Sequence, residues 1–171
     1  MSQSSICIVN VVTPEGAKDY VALASADAAF SHGLVSEAIL GLLKRPLQRG
    51  EPITPEVFVA NSAFIKFLAE VVARHGPENP DLQAEAAGLG QGYVAVIDGR
   101  TPTPEGPVPP EDIIGVFQVA DGKVVPGSYL ASPKHKLLTA DGFFQLDPVL
   151  DACLQQELAG RASMPDKPPP G

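Results

Sequence analysis

The sequence predicts an α+β fold, with helices packed on one face of a mostly antiparallel sheet that ends in a β-meander. Helix-start signals and helical periodicity dominate the first half of the chain, whereas strand alternation and Asp-Gly turns dominate from Tyr93 onward. The 171 residues suit one domain, and 44% hydrophobic residues suffice for a sizeable core. We therefore predict a single domain over residues 1–160 and a mobile, proline-rich tail over 161–171.

The elements of the first half are predicted from their ends and their spacing. The apolar run "ICIVNVV" at 6–12 is rich in β-branched residues, and it predicts a buried central strand that pairs with the meander. Thr13-Pro14-Glu15 is a helix-start signal, which predicts a helix over about 14–30. Roughly helical spacing of apolar residues from Leu34 to Leu43 predicts a second helix over about 34–44.

The clearest predicted helix covers residues 54–75. Thr54-Pro55-Glu56 repeats the start signal, and Gly76 stands where a C-terminal cap belongs. The apolar residues between them follow the i, i+3, i+4, i+7 rule: Val57, Ala60, Phe64, Phe67, Leu68, Val71 and Val72. A short helix is predicted at 81–87, and Asp147-Pro148 opens a last helix over 147–159.

The second half reads as strands joined by tight turns. The segment "YVAVID" at 93–98 predicts a strand. Asp121-Gly122 and Asp141-Gly142 each stand between apolar runs, and Asp-Gly adopts the positive φ angles of a type I′ hairpin turn. Ser132-Pro133 predicts a further turn between the two hairpins.

The segment Arg100 to Glu111, "RTPTPEGPVPPE", raises the question whether it links two domains or forms a loop within one. Residues 112–171 alone supply only a thin core, so we predict a loop. Extended proline-rich chains lose little entropy on binding, so this loop is either a partner-docking segment or a solvated, acidic surface loop. The charged residues of this candidate interaction loop are Asp98, Arg100, Glu105, Glu111 and Asp112.

Charge and cysteine content narrow the classes of partner. The net charge is −8, and residues 51–171 carry all of it with sixteen acidic and eight basic side chains. Such a surface repels phosphate backbones, so we predict no nucleic acid and favour a protein partner, possibly a basic one, with homo-oligomers left open. No apolar run is long enough to cross a membrane, and two cysteines in apolar patterns indicate a reduced, cytoplasmic protein.

No motif predicts a cofactor, a metal or a catalytic residue. "GLGQG" at 88–92 follows a predicted helix and opens a strand, the reverse of a dinucleotide-binding turn. Of the three histidines, His75 suits the negative end of a helix, and His135 between two lysines is predicted to be solvated. Asp27 falls on an apolar helix face, where it is half-exposed, buried with a hydrogen-bond partner, or part of a site.

Two functional hypotheses remain. The first is a non-enzymatic protein-interaction protein, such as an adaptor, inhibitor, chaperone or assembly subunit. The alternative is a small-molecule-binding domain or small enzyme with a pocket between the helix layer and the sheet. The candidate pocket residues are Tyr20, Asp27, His32 and Tyr129.

Overall fold

A computed structural model of the protein describes residues 6–23, 38–100, 108–140 and 142–163, and it confirms the α+β fold class. The strands of this part of the chain are β1 (Ile6–Thr13), β2 (Gly16–Leu23), β3 (Ile39–Leu43), β4 (Phe58–Ala60), β5 (Gly92–Ile97), β6 (Ile113–Ala120), β7 (Lys123–Val124), β8 (Leu130–Ala131), β9 (Leu138–Thr139) and β10 (Gly142–Phe143). The helices are α1 (Ser62–His75), α2 (Pro80–Leu89) and α3 (Pro148–Ser163).

The chain divides into two compact units. The first unit comprises Met1–Phe67 with Leu154–Gly171, and the second comprises Leu68–Cys153. The single domain over 1–160 stays a prediction. The tail from residue 164 onward lies outside the described residues, and residues 161–163 belong to α3.

The first unit contains a four-stranded antiparallel sheet in the order β1-β2-β3-β4. Its core includes Val21, Leu40 and Phe64, all fully buried. The prediction that the opening strand is central and pairs with the later strands is wrong, because among the described residues β1 pairs only with β2 and lies at an edge of this sheet. Val12 on β1 is 81% exposed. A continuous apolar run therefore does not by itself identify a buried strand.

The predicted helix over 14–30 is wrong in its described part. Pro14 and Glu15 form the two-residue connection of the β1–β2 hairpin, in which Thr13 pairs with Gly16. Proline at the second position of a tight turn has the same φ that it has in the first turn of a helix, so Thr-Pro-Glu fits both structures. Residues 24–30 lie outside the described residues.

The predicted helix over 34–44 is also wrong where the structure describes it. Residues 39–43 form β3, which pairs with β2 on one side and β4 on the other. Leucine-rich runs bury equally well on a strand, and here sheet pairing overrides helix propensity.

The helix predicted over 54–75 is confirmed only from Ser62. Thr54-Pro55-Glu56 opens a single 3₁₀ turn at Pro55–Val57, after which β4 begins. Asn61 then starts α1: its side chain accepts a hydrogen bond from the Ala63 amide at 3.2 Å and donates one to the Ile39 carbonyl at 2.9 Å. An Asx cap, missed in the sequence, therefore sets the start of this helix.

The second unit is built on β6. This strand pairs with β5 along one side and with both β7 and β8 along the other, always antiparallel. Helix α2 packs on the sheet, and Leu82 and Ala86 are its buried residues. β9 and β10 form a separate two-stranded sheet, so a continuous meander of the later strands is not confirmed.

Both predicted hairpins are present, but only the first has Asp-Gly at its two turn positions, because Gly142 is already paired in β10. Ala120 pairs with Lys123 around Asp121 (φ 53°) and Gly122 (φ 71°), as a type I′ turn requires. Thr139 pairs with Gly142 in the β9–β10 hairpin, although Asp141 itself lies outside the described residues. The strand at 93–98 and the helices at 81–87 and 147–159 are confirmed as β5, α2 and α3.

Two helix caps are joined to each other in the second unit. The Asn79 side chain accepts hydrogen bonds from the Asp81 and Leu82 amides at 2.8 and 3.2 Å, which caps α2. Its Nδ2 donates to Asp147 Oδ2 at 2.8 Å, and the same carboxylate accepts from the Val149 amide at the start of α3. Because Asn79 is buried, this bond fixes the start of α3 against the start of α2.

We expect Asn79→Ala to lower the free energy of unfolding by about 1–2 kcal/mol, since it removes one cap and the donor to Asp147. Chemical denaturation of the purified variant measures the change. Asn79→Asp is the matched control, because it keeps the α2 cap but places a carboxylate against Asp147. If the alanine variant were as stable as the wild type, the joined caps would contribute nothing to folding.

No helix in the described part of the chain is long and apolar enough to cross a membrane.

Candidate functional site

Four charged or titratable side chains meet inside the second unit, and we call them the buried cluster: Asp98, Arg100, Asp112 and His135. Asp98 and Arg100 follow β5, Asp112 precedes β6, and His135 stands in the turn segment after β8. Their side chains are 0%, 0%, 3% and 7% exposed, respectively. Charges are buried at a large desolvation cost, so their partners decide what this arrangement does.

Asp98 is held by four polar contacts from three residues. Its Oδ1 accepts hydrogen bonds from the Arg100 amide at 3.1 Å and the Gln145 amide at 2.8 Å. Its Oδ2 lies 3.0 Å from Arg100 Nη2 and 2.9 Å from His135 Nε2. Both carboxylate oxygens are therefore used, and one side chain connects the end of β5 to two distant segments.

Arg100 fills the centre of the cluster. Its Nε lies 3.2 Å from Asp112 Oδ1, within ion-pair distance. Its two Nη atoms donate to oxygens of four further residues: Thr139 Oγ1 at 3.2 Å and the carbonyls of Gly142 at 3.0 Å, Glu111 at 3.2 Å and Lys136 at 2.7 Å. A planar guanidinium presents five donors in a fixed fork, which suits it to joining several carbonyls at once. The cluster thus binds together β5, the start of β6 and the β9–β10 hairpin.

The charged residues of the predicted interaction loop do not share one environment. Asp98, Arg100 and Asp112 come together, but in the interior, so their side chains are not available at the surface. Glu111 contributes its backbone carbonyl, and Glu105 lies outside the described residues. Both ends of the proline-rich segment meet in this cluster, within the second unit, so the segment connects two adjacent strands of one sheet.

The prediction that His135 is solvated is wrong. The flanking Lys134 and Lys136 are exposed, but the imidazole between them is turned inward to Asp98. Charged neighbours in sequence do not show where the middle side chain points. No local pattern links His135 to Asp98, which stands 37 residues earlier.

Tyr129, a predicted pocket residue, is used in packing. Its ring centroid lies 4.9 Å from that of Phe117, and its hydroxyl donates to the Ile114 carbonyl at 3.2 Å. The ring also occupies the space where a side chain at Gly115 would stand. Burial raises the pKa of the Tyr129 phenol above its ordinary value, so the group stays neutral.

Of the other three predicted pocket residues, one lies in the first unit and two lie outside the described residues. Tyr20 lies half-buried on β2 in the first unit. Asp27 and His32 lie outside the described residues. The convergence of these four residues on one pocket stays a prediction.

The surface of the second unit carries an apolar strip, which we call the sheet surface: Tyr93, Ala95, Val116 and Leu130. Ala95 pairs with Val116, and Val116 pairs with Leu130, so these three form a row across three strands. Tyr93 precedes the row on β5, and it is 66% exposed while Leu130 is 65% exposed. Alternation in "YVAVID" indicates two faces, but only the structure shows that the Tyr93 face is the exposed one.

Among the residues the structure describes, no three His, Cys, Asp or Glu side chains are grouped so as to hold a metal ion. Comparison of the chain with protein-family models, with curated proteins and with solved structures finds no match.

Proposed function

We propose that this protein is a non-enzymatic, cytoplasmic protein-interaction protein that recognises a basic protein partner through its second unit. The observation that carries the proposal is the exposed sheet surface in the most acidic part of the chain. An adaptor, inhibitor, chaperone or assembly subunit has this kind of surface. The cytoplasmic location is supported by the low cysteine content, two in 171 residues.

Exposed apolar side chains in contiguous rows are typical of binding surfaces. A single exposed leucine or tyrosine needs no explanation, but Tyr93 and Leu130 flank Ala95 and Val116 on one sheet face. Tyrosine is also enriched in interface cores, because its ring buries area while its hydroxyl keeps a polar partner. The sheet surface has the chemistry of a contact patch.

The charge of the second unit favours a basic partner. Residues 68–153 hold twelve acidic and five basic side chains, a net charge of −7. The remaining residues hold eight and seven, a net charge of −1. The buried cluster takes two of the acids and one base into the interior, so the excess of acids lies outside it. Acidic surfaces repel nucleic acid and steer cationic proteins toward the patch.

The enzyme alternative gains no support from the buried cluster. Asp98 and His135 form a pair of the kind used in general acid–base catalysis, but both oxygens of Asp98 are occupied by structural donors. The guanidinium of Arg100 is likewise directed at protein carbonyls. The hydrogen bonds of Asp98 and Arg100 therefore favour a structural role for the cluster.

The test is binding to a purified partner at increasing salt. Proteins captured on the immobilised chain are identified, expressed and titrated against the wild type and against Leu130→Ser. We expect affinity to fall as sodium chloride rises, because surface attraction is screened within about 10 Å at 0.1 M. We expect Leu130→Ser to weaken binding about tenfold through lost apolar burial.

Leu89→Ser is the matched control, because Leu89 is an exposed leucine of the same unit that lies off the sheet surface. It should bind as the wild type does. Salt-independent binding, or equal effects of the two serine variants, would contradict the proposal. Thermal unfolding against a metabolite library tests the alternative directly, since a ligand at a hundredfold its Kd adds about 2.7 kcal/mol of stability.

A further inference from the structure

We propose that the outer edge of β5, from Tyr93 to Ile97, binds an extended basic segment of the partner as an added antiparallel or parallel strand. This inference rests on the proposed function and names the docking site and the form of the ligand. It depends on three observations: the direction of the backbone groups of β5, the lack of any feature among the described residues that protects the edge, and the position of acidic residues beside it.

Among the described residues β5 is an edge strand. The directions of its backbone N–H and C=O groups follow from the hydrogen bonds of the neighbouring strand β6. The Gln118 amide donates to Ser128 Oγ at 2.9 Å, and the Gln118 carbonyl accepts from the Val125 amide at 2.9 Å. Both groups of Gln118 therefore point away from β5. In an antiparallel pair, the opposite residue then also points its groups outward. That residue is Tyr93, and Ala95 follows two positions later with the same direction.

The alternation of inward and outward backbone groups continues past the register shift between Val96 and Ile97. The Asp98 amide donates to the Asp112 carbonyl at 2.7 Å, so Ile97 is turned outward, and the Gly99 amide donates outward to the Gln145 carbonyl at 2.7 Å. This last bond shows that the outer side of the chain accepts another segment where one is present.

The outward backbone groups of Tyr93, Ala95 and Ile97 have no hydrogen-bond partner within the described residues. Edge strands are normally protected by lysine, by proline, by short length or by cover. β5 has six residues, "GYVAVI", none charged and none proline. An apolar strand of this kind needs a partner or becomes an aggregation site, and we infer the partner.

Acidic residues stand on the flank of α2 beside this edge. The Val124 amide lies 3.5 Å from Gln83 Oε1, and Gly122 lies against Ala87, so this side of the helix faces β7. Helix α2 packs against both β5 and β7, so the side of the helix that is turned away from β7 is the side nearer β5. Asp81 and Glu85 lie one turn apart on that side. Both are exposed.

These positions define the sequence of the occupant. Side chains of an added strand alternate between the two faces of the sheet. On one face they adjoin Tyr93 and Ala95, which suits valine, isoleucine or an aromatic residue. On the other face they approach the Asp81–Glu85 flank, which suits lysine or arginine. A second copy of this chain fits less well, because it brings its own net charge of −8 against the same sign.

The test uses a capped peptide of about nine residues that alternates lysine and valine, a length typical of strands. Its affinity for the full chain is measured by calorimetry, and amide exchange is measured residue by residue. We expect the Tyr93, Ala95 and Ile97 amides to become protected. We expect the same peptide with its alternate amides N-methylated to bind about tenfold more weakly or worse, although its charge is unchanged.

Ala95→Pro is the matching protein variant. The Ala95 amide points away from β6, so proline removes the outward donor without breaking the β5–β6 ladder. We expect it to lose peptide binding while its melting temperature stays near that of the wild type. If Ala95→Pro unfolds, Tyr93→Lys replaces it, with Val149→Lys as the control, because Val149 is an exposed apolar residue of the same unit that lies on α3.

Each outcome decides between explanations. If the N-methylated peptide and Ala95→Pro bind as well as their parents, strand addition is overturned, and the proposed function survives as charge recognition alone. If the unmodified peptide binds nowhere on the chain, strand addition is overturned, and capture and titration of a natural partner decide the proposed function separately. If the chain alone forms a dimer that Ala95→Pro dissociates, the occupant is a second copy and the inference is overturned.

Discussion

Replacing Arg100 with methionine is expected to lower the free energy of unfolding by about 3–5 kcal/mol. The guanidinium is fully buried and contacts two carboxylates, those of Asp98 and Asp112. Methionine has a similar volume and no charge, so it leaves both acids in the interior without their cation. Denaturant unfolding measures the change, and a loss of this size lowers the melting temperature by about 2–4 °C per kcal/mol for a domain of this length.

Two comparisons separate burial from charge. Arg45→Met removes an exposed pair, in which Arg45 donates to both oxygens of Glu51, and we expect it to cost less than about 1 kcal/mol. Arg100→Lys keeps the charge but loses the fork that reaches several carbonyls, so we expect an intermediate loss. Combining Arg100→Met with Asp98→Asn should recover part of the loss, because one uncompensated acid is removed.

An Arg100→Met variant as stable as Arg45→Met would contradict the structural role of the cluster. The buried Asp98–His135 pair would then have no structural explanation. Its burial beside a guanidinium would make the enzyme alternative the better hypothesis, because buried charges without a structural role concentrate at active sites.

The sequence signals that correctly predicted turns and helix starts each involve only a few neighbouring residues. Asp121-Gly122 adopts its turn because two adjacent residues need positive φ. Asp147-Pro148 opens α3 because the Asp147 carboxylate accepts from amides two and three residues later. Such signals are decided locally, and tertiary contacts do not change them.

The Thr-Pro-Glu signal failed at both of its positions for a physical reason. At 13–15 it forms part of a hairpin, and at 54–56 it opens a single 3₁₀ turn. Proline fixes φ near −65°, a value shared by helices, 3₁₀ turns and β-turns, so the tripeptide marks a turn of the chain without specifying whether a helix or a strand comes next. In both places the next strand is specified by pairing with a distant segment.

The buried cluster was also predictable from the sequence only in part. Asp98, Arg100 and Asp112 were singled out because they flank one proline-rich segment, and they do meet. Their burial depends on carbonyls from 136 and 142, and no local pattern predicts those contacts. The open edge of β5 was also beyond the sequence, because alternation predicts a strand but not its neighbours.

Phe117→Ala is expected to lower the free energy of unfolding by about 3–5 kcal/mol, the usual cost of emptying a buried aromatic site. Phe117 lies on β6 with no exposed surface, and its ring stacks at a tilt against Tyr129. The same ring covers Gly76, at the end of α1, so closely that a side chain there would overlap it. Removing the ring therefore leaves a cavity between strand and helix end. Thermal and denaturant unfolding measure the loss.

A double-mutant cycle with Gly76→Ala tests this packing more sharply than either single variant. In the wild type the added methyl group overlaps the Phe117 ring, so Gly76→Ala alone should destabilise by about 1–3 kcal/mol. In the Phe117→Ala background the same methyl group enters the cavity, so its cost should vanish or change sign. Equal costs in both backgrounds would mean that the ring does not occupy the space above Gly76. Tyr129→Phe is the control for the neighbouring ring: it removes only the hydroxyl bond to Ile114, worth about 1 kcal/mol, and should not alter the cycle.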